Sequence, residues 1–139
     1  MRCVDDREQI GHIQALLRHH QTSGHHTLGI ICKTVEHARH LHTELTAAGV
    51  QATLLDYSST HFADGVIITS AHIAKGLEFD TVIVPDTDDR HYRTDIDKSM
   101  LYIACTRALH ELHCTFTGEL SDFLDFAAPA VRGAEGGRL

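Results

Sequence analysis

The chain has 139 residues, with 12 Lys and Arg against 19 Asp and Glu, and a formal net charge of −7 when its 13 histidines are neutral. This length is typical of one domain that can bury a core. A content of 42% hydrophobic and 22% charged residues excludes the composition of a disordered chain. Nonspecific affinity for nucleic acid comes mainly from Lys and Arg. The acidic balance therefore argues against a freestanding nucleic-acid binder.

The four cysteines are dispersed along the chain. Cys3, Cys32, Cys105 and Cys114 form no C-x-x-C pair, so we expect reduced thiols in a cytoplasmic setting rather than a zinc site or a disulfide framework. No run approaches the ~18 apolar residues that a membrane span needs. The N-terminal residues are too acidic for a secretory signal. The sequence therefore predicts no membrane partner.

The histidines are numerous but scattered, so most are predicted to lie on the surface. His37, His40 and His42 come closest to a metal-like cluster, with His37 and His40 on neighbouring turns of a predicted helix. No carboxylate or cysteine is fixed beside them, which favours a solvated helix face over a metal site.

Apolar spacing and turn residues divide the chain into alternating elements. They predict a helix over 6–20 that ends near Gly24, a strand over 27–32, a helix over 34–48 that ends at Gly49, and strands over 51–56, 66–69 and 81–84. They further predict a helix over 96–108, a strand over 110–116, a short helix over 119–127, and a flexible tail over 129–139. Unalternated apolar strands between amphipathic helices indicate an α/β fold with a mostly parallel sheet covered on both faces.

Residues 85–97 form a polar loop that carries five aspartates. We expect this loop to be solvated and to face a partner, with a magnesium site as the less favoured alternative.

The first segment with chemical potential is Ile68–Asp80, which follows a predicted strand. Sheets of this class bind ligands at the carboxyl ends of their strands. Small residues allow a phosphate to approach the backbone, Lys75 and the hydroxyls can bind its oxygens, and Glu78 can accept from a ribose hydroxyl. An ordinary connection that turns at Gly76 is equally compatible with these residues.

The second segment is Met100–Leu112, in which Arg107 follows an apolar helical stretch and precedes a strand. An arginine in this position can snorkel or pair structurally. It can also present its guanidinium to the phosphates of a nucleotide that a partner domain binds.

Together these segments resemble the second RecA-like motor domain (2A) of UvrD/Rep-type superfamily 1 DNA helicases. Thr69–Asp80 resembles motif V, T-x-H-x-A-K-G-L-E-F, and Leu101–Ala108 resembles motif VI, Y-V-A-x-T-R-A. Gly29–Leu45 resembles the strand and helix that precede them, and the resemblance covers most of residues 8–124. It implies a three-layer RecA-like fold of the P-loop NTPase type over residues 1–128. The variant A-K-G-L-E-F-D also resembles helicase IV relatives and helicase-like ATPases that act on RNA polymerase, which makes RNA polymerase a candidate partner.

The resemblance implies ATP with Mg²⁺ as the cofactor, held mainly by the first RecA-like domain of the full-length protein. Arg107 matches the motif VI arginine that reaches the γ-phosphate and stabilises the charge that develops in hydrolysis. Gly76 and Glu78 match positions near the nucleotide sugar and phosphates. Lys75 either contacts phosphate or packs.

The resemblance also implies single-stranded DNA as a partner. Thr69, Ser70 and His72 match the part of motif V that touches the single-strand backbone or relays between DNA and ATP.

Two departures from the family pattern qualify this function. The chain has no G-x-x-x-x-G-K-[ST] phosphate loop, so we expect it to be inactive as an ATPase alone. The family's motif IV arginine has no counterpart before residue 26, which predicts a truncated domain without its first strand. The alternative is a catalytically silent, helicase-like module for contact with a protein such as RNA polymerase or a repair partner. A small metal or nucleotide enzyme would leave both motif-like segments unexplained.

Overall fold

The computed structural model describes residues 2–56 and 65–127, with side chains through Leu124. The elements in chain order are β1 (Arg2–Cys3), α1 (Asp6–Ser23), β2 (Thr27–Cys32), α2 (Val35–Ala47), β3 (Thr53–Leu54), β4 (Gly65–Ser70), α3 (Ala71–Ala74), β5 (Phe79–Val84), α4 (Asp95–Cys105), β6 (Ala108–Cys114), β7 (Phe116–Thr117) and a 3₁₀ helix (Asp122–Ala127). The tail predicted over 129–139 lies outside the described residues.

Within the described residues, five strands form one parallel sheet in the order β3-β4-β2-β5-β6. β2 is central, because all six of its residues pair with β4 on one side and its middle residues pair with β5 on the other. β1 and β7 form a separate parallel pair. The predicted α/β fold with a mostly parallel sheet is confirmed.

Helices cover both faces of the sheet, which explains why the strands show no apolar alternation. One face packs on α1 and α2 through Leu28, Ile30 and Ile83. The opposite face packs on α3, α4 and the 3₁₀ helix through Ile31 and Val82. The domain therefore has three layers and two cores.

Capping side chains set the starts of the long helices. Asp5, Thr34 and Thr94 precede α1, α2 and α4, and each accepts a hydrogen bond of 2.9–3.1 Å from the backbone N–H three residues further on. α1 ends at Gly24, whose φ of 83° is the left-handed conformation that glycine adopts at low cost. The helices predicted over 6–20 and 34–48 are confirmed with small shifts of their ends.

Three other predicted boundaries are wrong in part. The strand over 51–56 shrinks to Thr53–Leu54, the two residues that pair with β4. The helix over 96–108 ends at Cys105, because Ala108 already pairs with Phe79 in the sheet. The helix predicted over 119–127 is a 3₁₀ helix that starts at Asp122.

The loop after β5 is only in part the solvated segment that its composition predicts: Arg90 and residues 93–96 are exposed, but other residues are buried. Thr87, Asp88 and Tyr92 are each at most 1% exposed. Thr87 donates from its N–H and its Oγ1 to the carbonyl of Thr115, both at 3.0 Å. Ser121 donates from Oγ to the carbonyl of Tyr92 at 2.9 Å. These bonds draw the loop over the carboxyl edge of the sheet, the edge at which the strands end.

Cys3, Cys32 and Cys114 are buried, and none of the four cysteines, all within the described ranges, forms a disulfide. His20 departs from the expected surface position: it is 7% exposed, and desolvation lowers its pKa. In the part of the chain that the structure describes, no helix has the length and apolar character to cross a membrane.

The centre of the sheet depends on the absence of a side chain at Gly29. A Cβ built on Gly29 in β2 would lie 2.6–2.8 Å from three carbons of the Phe79 ring. Phe79 is itself fully buried, so the ring has no free space to move into. The close packing of β2 against the start of β5 therefore requires glycine.

We predict that Gly29→Ala destabilises the domain by about 1–3 kcal/mol, because overpacking forces the ring and the backbone apart. Urea unfolding followed by circular dichroism measures the change. Gly11→Ala is the matched control, since Gly11 is exposed on α1 and nothing lies within 4 Å of its added Cβ. This control should be neutral or stabilising by up to about 1 kcal/mol, because alanine is the better helix former. Equal effects of the two substitutions would contradict the packing argument.

Candidate functional site

The first motif-like segment runs from the carboxyl edge of the sheet to its amino edge, and Arg107 of the second segment lies at the amino edge. β4 ends at Ser70 and the parallel strand β5 begins at Phe79, so residues 71–78 cross the length of the sheet between them. Thr69 and Ser70 therefore lie at the carboxyl edge. Gly76 and Glu78 lie at the amino edge, where β5 and β6 begin. The expectation that the whole segment sits at the carboxyl ends of strands is correct only for its first residues.

The amino edge brings the two segments together. The backbone N–H of Phe79 donates to the carbonyl of Arg107 at 2.9 Å, and Phe79 pairs in register with Ala108. Glu78 and Arg107 are thus held at the same edge of the sheet, each directly before one of two neighbouring strands. Gly76 has a φ of 89°, a left-handed conformation that returns the chain from α3 into β5 and suits glycine.

The side chain of Arg107 is half-buried and held by its own helix end. Its Nε donates to the carbonyl of Ile103 at 3.1 Å, and one terminal nitrogen donates to Thr106 Oγ1 at 3.2 Å. Among residues 2–56 and 65–124, no carboxylate lies within ion-pair distance of the guanidinium. The structural ion pair that the sequence allowed is not formed within those residues, whereas the hydrogen bonds to Ile103 and Thr106 give Arg107 a structural role at the helix end. The guanidinium has further N–H donors for an anion.

Lys75 and Glu78 are both exposed, and Glu78 lies at the same edge of the sheet as Arg107. Neither forms a hydrogen bond or an ion pair with a described side chain. The structure therefore leaves an acceptor, Glu78, exposed at the amino edge, and Lys75 exposed in the connection that leads to it.

At the carboxyl edge the structure separates the three predicted nucleic-acid residues. Thr69 is fully buried, and its hydroxyl donates to the carbonyl of Leu55 at 2.8 Å. Ser70 is 1% exposed, and its Oγ accepts from the backbone N–H of Ile73 at 3.3 Å as the cap of α3. His72 lies exposed on α3. Only His72 of the three presents its side chain to solvent.

A partly buried ion pair fixes the start of α4, the helix that leads to Arg107. Lys33 Nζ lies 2.8 Å from Asp97 Oδ1. The second carboxylate oxygen of Asp97 accepts from the backbone N–H groups of Arg93 and Thr94 at 3.0 and 3.1 Å. Burial raises the pKa of Asp97, but the hydrogen bonds from Lys33 and from these N–H groups outweigh it and hold the pKa well below its usual value.

Sequence reasoning missed the roles of Lys33 and Asp97, because Asp97 was counted with the solvated acidic loop. The signal that could have found Asp97 is the spacing of a capping box, Thr94-x-x-Asp97 at the start of an apolar helical stretch. No local signal identifies Lys33, whose partner lies more than sixty residues away.

The metal site at His37, His40 and His42 is the less favoured interpretation of the sequence. In the part of the chain that the structure describes, these histidines do not bring three ligand atoms within reach of one another, whereas two other groups of residues do. One of them, Asp86, Asp88 and His91, lies in the loop after β5.

A three-layer domain with a parallel sheet and these two edge segments has the architecture of a RecA-like motor domain of a helicase. The sequence pattern of the UvrD-like helicase C-terminal domain matches residues 65–115. A solved structure, the C-terminal domain of a possible DNA helicase from Lactobacillus plantarum WCFS1, is 31% identical with a TM-score of 0.80, over 89% of this chain and 76% of that chain. The chain belongs to the UvrD-like helicase C-terminal domain family.

A second solved structure shares the fold alone. The Arterivirus nonstructural protein 10 helicase in complex with DNA is 10% identical with a TM-score of 0.53, over 88% of this chain and 32% of that chain. No curated protein sequence gives a significant match.

We predict that Asp97→Asn lowers the free energy of unfolding by about 2–3 kcal/mol at pH 7, because it removes a charged hydrogen-bond acceptor from the partly buried Lys33. The pKa of Asp97 is lower in the folded state than the unfolded value of about 3.9. Its stabilisation is therefore fully present above about pH 4 and is lost as the pH falls towards the folded pKa.

The difference between wild type and Asp97→Asn should therefore narrow between pH 7 and pH 3 in urea unfolding. Asp95→Asn is the control, because this substitution makes the same charge change at an exposed position two residues away. A gap of constant size across this pH range would show that the carboxylate charge is not responsible.

Proposed function

We propose that this chain is the second RecA-like motor domain of an ATP-dependent superfamily 1 DNA helicase or translocase. In the full-length protein it would supply Arg107 as the arginine finger, together with part of the nucleotide and single-strand contacts. The observation that carries the proposal is the guanidinium of Arg107, which lacks a carboxylate partner among the described residues and is held at the amino edge beside Gly76 and Glu78.

The residues at the amino edge fit one side of an ATP site. Arg107 would donate to γ-phosphate oxygens and stabilise the charge that develops on them. Lys75 adds a second cation, Gly76 lets the backbone approach without a side chain, and Glu78 would accept from a ribose hydroxyl. When bound, ATP supplies the γ-phosphoryl group whose transfer to water drives the motor cycle, and Mg²⁺ offsets its charge.

The chain does not contain the other side of such a site. It has no phosphate loop, so the phosphates and Mg²⁺ would be held mainly by a first RecA-like domain. Closure of two such domains over ATP and their reopening after hydrolysis would move the protein along the strand. By itself this domain should hydrolyse no ATP.

The carboxyl edge is the proposed single-strand contact. His72 would reach the single strand from the exposed side of α3, while Ser70 caps α3 and the Thr69 hydroxyl ties the end of β4 to Leu55. The similar Lactobacillus domain comes from a possible DNA helicase, and the similar viral helicase was solved with DNA. The net charge of −7 means that most phosphate-neutralising charge must come from another part of the full-length protein.

A second candidate function is a catalytically silent helicase-like module that contacts a protein such as RNA polymerase. The observation that favours it is a set of large apolar side chains left in solvent: Ile96 is 71% exposed, Tyr102 63% and Leu109 53%. Contact with the first motor domain of a helicase would also cover these apolar side chains, so their exposure is compatible with both functions. A full-length protein that binds ATP without hydrolysing it would support the silent module.

We predict that Arg107→Ala in the full-length protein lowers ATP turnover by roughly a thousandfold or more, as removal of an arginine finger does, while ATP affinity changes far less. Steady-state phosphate release and nucleotide titration measure the two effects. Arg7→Ala is the control, because it removes an exposed arginine of α1 far from the amino edge. Near-normal turnover in Arg107→Ala would remove Arg107 from this role.

We also predict that His72→Ala weakens single-strand DNA binding by the full-length protein roughly fivefold, the equivalent of about 1 kcal/mol for one hydrogen bond. Fluorescence anisotropy of a labelled oligonucleotide measures it. His26→Ala is matched to it, since His26 is an exposed histidine at the opposite edge of the sheet. If both variants bind like the wild type, α3 is not part of the strand contact.

A further inference from the structure

The loop that follows β5 brings together three side chains that neither motif-like segment uses. Asp86, Asp88 and His91 each offer one ligand atom, and these three atoms all lie within 4.8 Å of one another. The group lies at the carboxyl edge of the sheet, whereas Arg107 lies at the amino edge. Two carboxylates and one imidazole in mutual reach are a donor set for a metal ion.

The buried carboxylate of Asp88 is incompletely satisfied. Asp88 is 0% exposed. Its Oδ1 accepts from the backbone N–H groups of Arg90 and His91 at 3.1 and 3.0 Å, but Oδ2 has no hydrogen-bond partner in the described part of the chain. The Nε of Arg90 is 3.8 Å from Oδ1 on a side chain that is 65% exposed, and so compensates weakly. Burying a carboxylate oxygen without a partner is costly, so Oδ2 is a candidate ligand atom for a cation.

The carboxylate of Asp86 is held in a fixed direction. Gln9 donates from Nε2 to Asp86 Oδ1 at 3.0 Å, and accepts at Oε1 from the backbone N–H of Asp86 at 3.1 Å. The same Oε1 accepts from Thr115 Oγ1 at 2.7 Å, and Gln9 is only 6% exposed. Metal-binding carboxylates are oriented by hydrogen bonds of this kind.

His91 completes the group. Its Nδ1 lies 2.8 Å from Asp88 Oδ1, within hydrogen-bond distance. Its ring packs edge-on against His37, with centroids 5.6 Å apart. A polar cavity of about 260 Å³, lined in part by Asp86, His91 and His37, adjoins the group and has room for water ligands.

We propose that Asp86, Asp88 and His91 bind a divalent transition-metal ion, Mn²⁺ or Zn²⁺. An imidazole among oxygen ligands favours these ions over Mg²⁺ and Ca²⁺, which prefer oxygen alone. Bonds of about 2.0–2.2 Å require only small side-chain rotations to bring the three ligand atoms around one ion. The ion binds the carboxylate of Asp88, whose Oδ2 has no other partner among the described residues, and water from the cavity fills its remaining positions. The bound ion then fixes the conformation of the first half of the loop that leads into α4.

The test uses the 139-residue chain without an affinity tag. A histidine tag would add metal ligands to the 13 histidines of the chain, which already offer competing sites. MnCl₂ is titrated with free Mn²⁺ followed by electron paramagnetic resonance, and ZnCl₂ by calorimetry. We expect one Mn²⁺ per chain, with affinity at least tenfold weaker in Asp86→Asn and in His91→Gln. Asp89→Asn makes the same charge change in the same loop outside the group, and should bind like the wild type.

A second measurement needs no variant. Mn²⁺ broadens nuclear magnetic resonance signals of nearby nuclei, so amides of residues 85–92 should broaden first in the wild-type chain. Broadening confined to Cys3, Glu8 and His12, the second group of ligand atoms in reach, would overturn the proposal. So would broadening confined to the three histidines around Glu111, the absence of saturable binding, or unchanged affinity in both variants.

Discussion

The contact between the Phe79 ring and the bare Cα of Gly29 is the constraint on which the candidate nucleotide edge depends. It sets β5 tightly against the central strand β2. Phe79 follows Glu78 directly, and its N–H binds the carbonyl of Arg107. One packed ring therefore locates the end of the first motif-like segment and the arginine of the second. Close-packed interiors transmit small displacements, so this edge is only as well ordered as that contact.

The parallel sheet separates the two proposed contacts of the motor domain. A chain that leaves the carboxyl end of β4 must return to the amino end of β5, which puts His72 and Glu78 at opposite edges although they are six residues apart in the sequence. The connection is short and packs closely: Ala71 and Ala74 of α3 share one core with Leu101 and Ala104 of α4. Small side chains on α3 let the two helices approach, and this core is the physical link between the edges.

Much of the acidic surplus has a structural use. Asp97 pairs with Lys33 and caps α4. Asp80 accepts from the backbone N–H groups of His26 and Thr27, and these bonds lower its pKa. Asp88 turns inward beneath the loop after β5. Composition treats such residues as solvated charge, because it carries no record of donors such as Lys33 for Asp97 and the N–H groups of His26 and Thr27 for Asp80.

By itself, the sequence determined the class of fold, the order of the main helices and strands, and the family. Each of these rests on local spacing: apolar periodicity, a glycine such as Gly24, and the contiguous motif around Lys75. Tertiary structure alone decided which edge each motif residue occupies, that the hydroxyls of Thr69 and Ser70 point inward, and that Asp88 is buried. Those outcomes depend on strand order and on partners far away in the chain, and local residue patterns carry no record of either.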